Sequence, residues 1–177
     1  KNDKVITYRN YSLGRSLSSL LVKKIEEVLK KGKCSLNKID YFAVGLGPGS
    51  FTSLRVGLSA IKGLAFVTGK PIIGISSLDI MAARISQYKD VCVVCDAKRS
   101  LVYSGDYVQS KGVIKRKGQI VLKSIDEVLN NKKGEVAFLG DGIDLYKTNI
   151  QKQSNIKPIF IEERYWWPRM DKSLSLI

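Results

Sequence analysis

The stretch Gly45-Leu46-Gly47-Pro48-Gly49-Ser50-Phe51-Thr52 constrains the fold more than any other part of the chain. An apolar run at 39–44 leads into it and reads as a buried strand. Gly47, Pro48 and Gly49 end that strand, and Ser50 or Thr52 caps a helix by accepting a backbone N–H from its first turn. The helix, over 52–68, carries Gly57, Ser59, Ala60 and Gly63, although each glycine costs about 1 kcal/mol against alanine. Small residues in mid-helix suit a second backbone close by, either the sheet of the same unit or a partner's helix. A helix N-terminus beside glycines also suits an anion. The stretch nevertheless fits neither G-x-x-x-x-G-K-[ST] nor G-x-G-x-x-G. A tight strand-to-helix turn is therefore the first reading, with phosphate binding as the alternative.

The chain on either side alternates strand and helix. Leu17, Leu20, Leu21, Ile25, Val28 and Leu29 form one apolar face of a helix that Ser12 or Ser16 can cap and Gly32 can end. Residues 4–8 are a strand candidate before it. A short strand at 71–75 is followed by Ser76 and Asp79 at capping-box spacing and a helix with Leu78, Met81, Ala82 and Ile85 on one face. Such alternation predicts parallel pairing in an α/β fold. A boundary near 87–90 divides the chain into an α/β lobe at 1–88 and a second at 89–177.

The second lobe reads as strands at 91–95, 101–109 and 119–123, a basic loop at 111–118, a helix capped by Ser124 and Glu127, and strands at 135–139 and 158–162. Asp96, at a strand end, is either a catalytic carboxylate or a turn-former bonding its own backbone. Gly140-Asp141-Gly142 either approaches a phosphate or turns the chain. Trp166 and Trp167 are either a core plug or a base-stacking platform.

Composition then excludes several chemistries. Histidine is absent, which removes His-based acid–base catalysis, the Ser-His-Asp and Cys-His nucleophile systems, and histidine metal sites. Cys92 and Cys95 are spaced like a redox pair but fall in a β-branched run, where residues three apart point to opposite faces. They are expected to be buried structural thiols; Cys34 is the third cysteine. Lys and Arg number 30 against 16 Asp and Glu, a net charge of +14. That balance favours an acidic partner such as RNA, although scattered lysines equally suit a solvated surface. No apolar run reaches membrane-span length, so a cytoplasmic protein without a membrane partner is expected.

Gly47-Pro48-Gly49-Ser50-Phe51-Thr52-x-Leu54-Arg55-Val56-Gly57 resembles the signature of the bacterial TsaB (YeaZ) family. Gly74-Ile75-Ser76-Ser77-Leu78-Asp79 resembles its strand-to-helix step, and Asp96-Ala97-Lys98-Arg99-Ser100-Leu101-Val102-Tyr103 its strand pair. The resemblance implies a two-lobed actin/sugar-kinase-like, ribonuclease H-like fold without kinase chemistry. It also implies strands before residue 1 and a closing segment after 177, so that the chain reads as truncated at both ends.

By the same resemblance the chain is a non-catalytic subunit for N6-threonylcarbamoylation of adenosine 37 in tRNA. It would have no cofactor and no metal of its own, would dimerise when alone, and would partner a TsaD-like catalytic subunit and a TsaE-like ATPase. TsaD itself is excluded, since its metal site resembles His-x-x-x-His. Family members pair through their first two helices. Here those carry Arg15, Leu17, Leu20, Leu21 and Lys24, and then Ser53, Val56, Gly57, Ala60, Gly63 and Leu64. The motif loop is Gly47, Pro48, Gly49, Ser50, Phe51, Thr52 and Arg55. Leu17 stands where the family usually has histidine, so any contact of that histidine is altered here. If tRNA meets the chain, Lys111, Lys115, Arg116 and Lys117 form the densest basic cluster. The readings from other classes are an actin/sugar-kinase-like ATPase or phosphotransferase, and a basic RNA-binding module.

Overall fold

The computed structural model describes residues 5–169. The described residues divide into two compact units, 5–76 and 77–169.

The first unit is a strand–helix–strand core with one helix before it. Strand β1 (Phe42–Gly45) pairs in parallel with β2 (Ile72–Ile75), Phe42 opposite Ile72 and Gly45 opposite Ile75. The connection is α2 (Phe51–Thr68), as the glycine turn predicts. Gly69, in the left-handed region at φ 66°, ends α2, the C-terminal geometry glycine favours. Helix α1 (Leu17–Lys31) follows a 3-10 turn at Gly14–Ser16. Ser16 occupies its N-cap without a capping side-chain bond; its carbonyl instead accepts from the Ser19 hydroxyl. The expected strand does not form over 5–8, and Lys4 lies outside the described residues. Those residues instead flank α1, where Tyr11 donates to Glu27 and lies under the Lys24 ammonium.

The end of α1 corrects the reading of Gly32. Gly32 has φ −76°, and the left-handed residue is Lys33 at φ 50°. Lys33 N–H donates to Lys30 O, and Cys34 N–H to Leu29 O. That is a Schellman motif with lysine where glycine is usual. Gly32 serves space instead, because a Cβ there would stand 3.0 Å from Thr7 Cγ2.

The second unit is a five-stranded sheet in the order β5-β4-β3-β6-β7. Its strands are β3 (Asp90–Asp96), β4 (Val102–Ser110), β5 (Val113–Lys123), β6 (Gly134–Leu139) and β7 (Ile156–Phe160). Strand β4 runs antiparallel to both β3 and β5, whereas β3–β6 and β6–β7 are parallel. Val91 to Val94 are all buried, so β3 is covered on both faces and reads as a continuous apolar run rather than an alternation. One face meets α3 (Ser77–Ala82), to which Tyr107 is tied by a 2.8 Å hydrogen bond to Asp79. The other meets α5 (Gly142–Gln151), whose Gly142 lies against Val94. Helix α4 (Ile125–Leu129) carries the expected capping box of Ser124 and Glu127. Pro158 sits in β7, an edge strand, opposite Val136, as a residue without an N–H requires.

The expected basic loop at 111–118 is mostly strand. Lys111 and Gly112, both at positive φ, form a two-residue hairpin turn of the kind that continues strand twist. Pairing resumes at Val113 opposite Ser110. The local run of charge hid this strand, because its inward residue Ile114 is isolated among polar neighbours.

Lys33→Gly should stabilise the first unit by about 1 kcal/mol, since glycine removes the side-chain cost of the left-handed conformation. A rise in the urea midpoint of that unit checks it.

Candidate functional site

The glycine turn is held from both sides. Gly47 has φ +87°, and a Cβ there would fall 2.9 Å from Leu54 Cδ1. Its carbonyl accepts from the Ser76 hydroxyl, and the Gly47–Pro48 peptide is cis. Ser50 is the N-cap of α2 and accepts from Ser53 N–H. One of the amides an anion would need is therefore already engaged. Arg55 lies 5.1 Å over the Phe51 ring. The motif residues thus act as a capped, rigid entry to α2.

Helix α2 itself is poorly covered. Ala65 is its one buried residue among 18. Phe66 is 90% exposed, Val67 80% and Phe51 72%. A Cβ built at Gly57 or Gly63 meets nothing within 4 Å. The sheet of the same unit therefore does not approach these glycines. Among the expected docking residues, Val56, Gly57, Ala60 and Leu64 are half-buried, and Ser53 and Gly63 are exposed. On α1, Arg15 is exposed, whereas Leu17, Leu20, Leu21 and Lys24 are half-buried. Lys24 is engaged within its own helix by a 2.8 Å pair with Glu27, which raises the lysine pKa and lowers that of the glutamate. An apolar groove of about 330 Å³ runs between the helices, lined by Val22, Ile25, Leu29, Leu36 and Leu64. The exposed Phe66 and Val67 were absent from the expected face. They lie one turn beyond Gly63, a spacing visible in the sequence once the buried face is fixed at Ala65.

In the second unit Asp96 behaves as a turn-former. Its carboxylate accepts Lys98 N–H at 2.8 Å and pairs with the Lys98 ammonium. Those two hydrogen bonds hold its pKa below the usual carboxylate value. Asp96 N–H donates to Asp141 Oδ1 at 3.0 Å. Gly140, at φ +110°, packs so closely on Val94 that a Cβ would collide with its carbonyl oxygen. This corner holds a carbonyl oxygen and two carboxylates, one of them paired with the Lys98 ammonium. Among the described residues no group of three or more Cys, Asp or Glu is placed to hold a metal.

Burial raises the thiol pKa of Cys92 and Cys95 to about 12, so both are neutral at physiological pH. Cys92 is buried against Ser104 Oγ at 3.4 Å, and Cys95 and Cys34 are half-buried. The tryptophans divide the two readings between them. Trp166 is buried and donates to Ile161 O at 2.7 Å, whereas Trp167 is 59% exposed.

The four basic residues do not form one patch. Lys111 is in the hairpin turn, and Lys115, Arg116 and Lys117 alternate along β5. Arg116 pairs with Asp79 at 3.4 Å, and Lys117 with Asp90 at 3.1 Å. A further cation escaped the sequence reading. Lys132 is buried and paired with Asp106. Burial disfavours its ammonium and the hydrogen-bonded Asp106 carboxylate favours it, and on balance its pKa is raised.

Comparison with known proteins fits this geometry. The family model described as TsaD: tRNA N6-adenosine threonylcarbamoyltransferase matches residues 12–162. The tRNA threonylcarbamoyladenosine biosynthesis protein TsaB of Buchnera aphidicola subsp. Baizongia pistaciae is 32% identical over 89% of this chain and 72% of its own length. The chain belongs to the TsaB (YeaZ) family. TsaB of Haemophilus influenzae is 36% identical over 59% of this chain, and the match spans about half of that relative, 46%. YeaZ from Pseudomonas aeruginosa superposes with a TM-score of 0.78 at 23% identity, covering 94% of this chain and 78% of that one. A second Pseudomonas aeruginosa structure, titled as similar to peptidase YEAZ, gives 0.75 at 24% identity, covering 92% and 75%. The fold is thus the actin/sugar-kinase-like α/β fold of the TsaB family. Among the described residues no helix is long and apolar enough to cross a membrane.

Two outcomes follow from these environments. Gly57→Ala and Gly63→Ala should each stabilise α2 by about 1 kcal/mol, because a Cβ meets no neighbour there; denaturant unfolding measures it. Asp96, with its depressed folded pKa, contributes stability at neutral pH and loses it as pH falls through that value. The stability gap between the parent chain and Asp96→Asn should therefore shrink between about pH 5 and pH 2, read by thermal melts across that range.

Proposed function

We propose that this chain is a non-catalytic scaffold subunit for tRNA N6-threonylcarbamoyladenosine biosynthesis in the cytoplasm. It binds a TsaD-like catalytic partner, with a TsaE-like ATPase completing the assembly, and forms a homodimer through the same surface when alone. One observation carries the reading: α2 leaves Gly63, Phe66 and Val67 exposed within one turn, and a Cβ at Gly63 or at the half-buried Gly57 would meet nothing within 4 Å. Close helix packing needs small residues on the facing surface, and exposed aromatics beside them supply apolar area to bury. The motif loop from Gly47 to Arg55 sets the start of that helix. The capped turn at Ser50 and the crowded Gly140 support a subunit without phosphotransfer chemistry of its own.

The test is co-expression with a TsaD-like protein. Gly57→Val or Gly63→Val should abolish co-purification and turn the self-dimer into monomer by light scattering, with little change in the circular dichroism melt. Normal pairing by both variants defeats the reading. The purified chain, given threonylcarbamoyl-adenylate and unmodified tRNA, should form no modified adenosine, whereas turnover without a partner, or heat on titration with ATP and Mg²⁺, would favour the phosphotransferase reading.

A further inference from the structure

The leading ends of β3 and β6 frame two adjoining clefts in the second unit, of about 300 Å³ and 470 Å³. Asp90 and Lys133 line both, so the two meet along a shared rim, called here the trough. Its charges do not cancel. Each carboxylate in it has its own lysine: Asp90 pairs with Lys117, Asp106 with Lys132, and Glu135 with Lys157. Lys89 and Lys133 line the trough, are exposed, and have no ion-pair partner among the described residues. Lys115 adds a third free ammonium. The register places it opposite Val108, itself opposite Asp90, so Lys115 lies on the sheet face that carries Asp90 and Lys117. The scaffold under these lysines is firm. Lys89 O accepts from Gln109 N–H at 2.8 Å, and Lys132 O accepts from Asn155 Nδ2 at 2.9 Å, which fixes the backbone next to Lys133.

Among the described residues, an anion entering this trough meets ammonium groups outside any ion pair and carboxylates that each have a lysine partner. A single small anion would leave most of that charge unused, whereas a chain of phosphates can follow the trough and engage several lysines in turn. We propose that Lys89, Lys115 and Lys133 are a contact for the phosphate backbone of RNA. The surface differs from the sequence-contiguous cluster. Arg116 faces Asp79 on the opposite side of the sheet, and Lys117 is committed to Asp90. Such contacts position an RNA without reading its bases. The choice of RNA rests on the tRNA-modification reading, but the surface is independent of the α2 docking face.

Anisotropy of labelled RNA with the purified full chain tests this, using an unmodified tRNA transcript and an unrelated structured RNA of equal length. Replacing Lys89, Lys115 and Lys133 together by Ala should weaken both RNAs about tenfold or more at low salt and reduce the salt slope by about 2 to 3. A control replacing Lys38, Lys123 and Lys152, with the same loss of charge, should change affinity less than about threefold. Equal losses from both triple variants, or no binding by the parent chain, would overturn the inference. Co-purification with the TsaD-like partner is measured on the same variants. Lost RNA affinity with retained pairing supports the trough alone. Failed pairing by the parent chain defeats the scaffold reading and leaves the RNA result to stand by itself.

Discussion

The second unit depends on the backbone of β3. The strand is paired on both edges, to β4 and β6, and covered on both faces. Its Val94 carbonyl is approached so closely by Gly140 and Gly142 that a side chain at either would collide with it. That approach brings α5 down on the sheet at the point where β6 ends. It also sets Asp141 beside the Asp96 amide, so the turn between β3 and β4 is anchored from the neighbouring strand. The corner is thus built of closely packed backbone, the Asp96 and Asp141 carboxylates and the Lys98 ammonium.

The first unit is organised differently. Its two-stranded parallel sheet is too small to cover an 18-residue helix, and α2 keeps one fully buried residue. The propensity lost at Gly57 and Gly63 is not recovered within the unit, because nothing in it approaches either glycine. A helix that loses about 1 kcal/mol at each of two positions without an internal return is consistent with a return made elsewhere. The apolar groove beside Leu64, lined mainly by α1, is a second uncovered apolar surface of this unit.

Much of this was legible in the sequence, for identifiable reasons. The glycine turn, the Ser50 cap, the capping box at Ser124 and the two-sided burial of β3 are local signals, each fixed within a few residues. The errors came where local and non-local signals compete. Lys33 takes the left-handed position beside a glycine that seemed made for it, because Gly32 is needed against Thr7. The charged run at 115–117, inside the expected loop at 111–118, hid a strand, since a hairpin turn and pairing with β4 outweigh weak alternation. Lys132 gave no sign of burial, because its partner Asp106 is 26 residues away. The outward Phe66 and Val67 could be placed only after the buried face was known.

The two outer strands of the five-stranded sheet have a further consequence. β5 carries Lys115, Arg116 and Lys117 along one rim, and β7 carries Pro158 on the other. Charge and a missing N–H are the means by which natural sheets keep their open edges from templating another chain. Fibrous growth by strand addition is thereby disfavoured at both rims. The five-stranded sheet is thus closed to further strands by charge at one rim and by a missing N–H at the other.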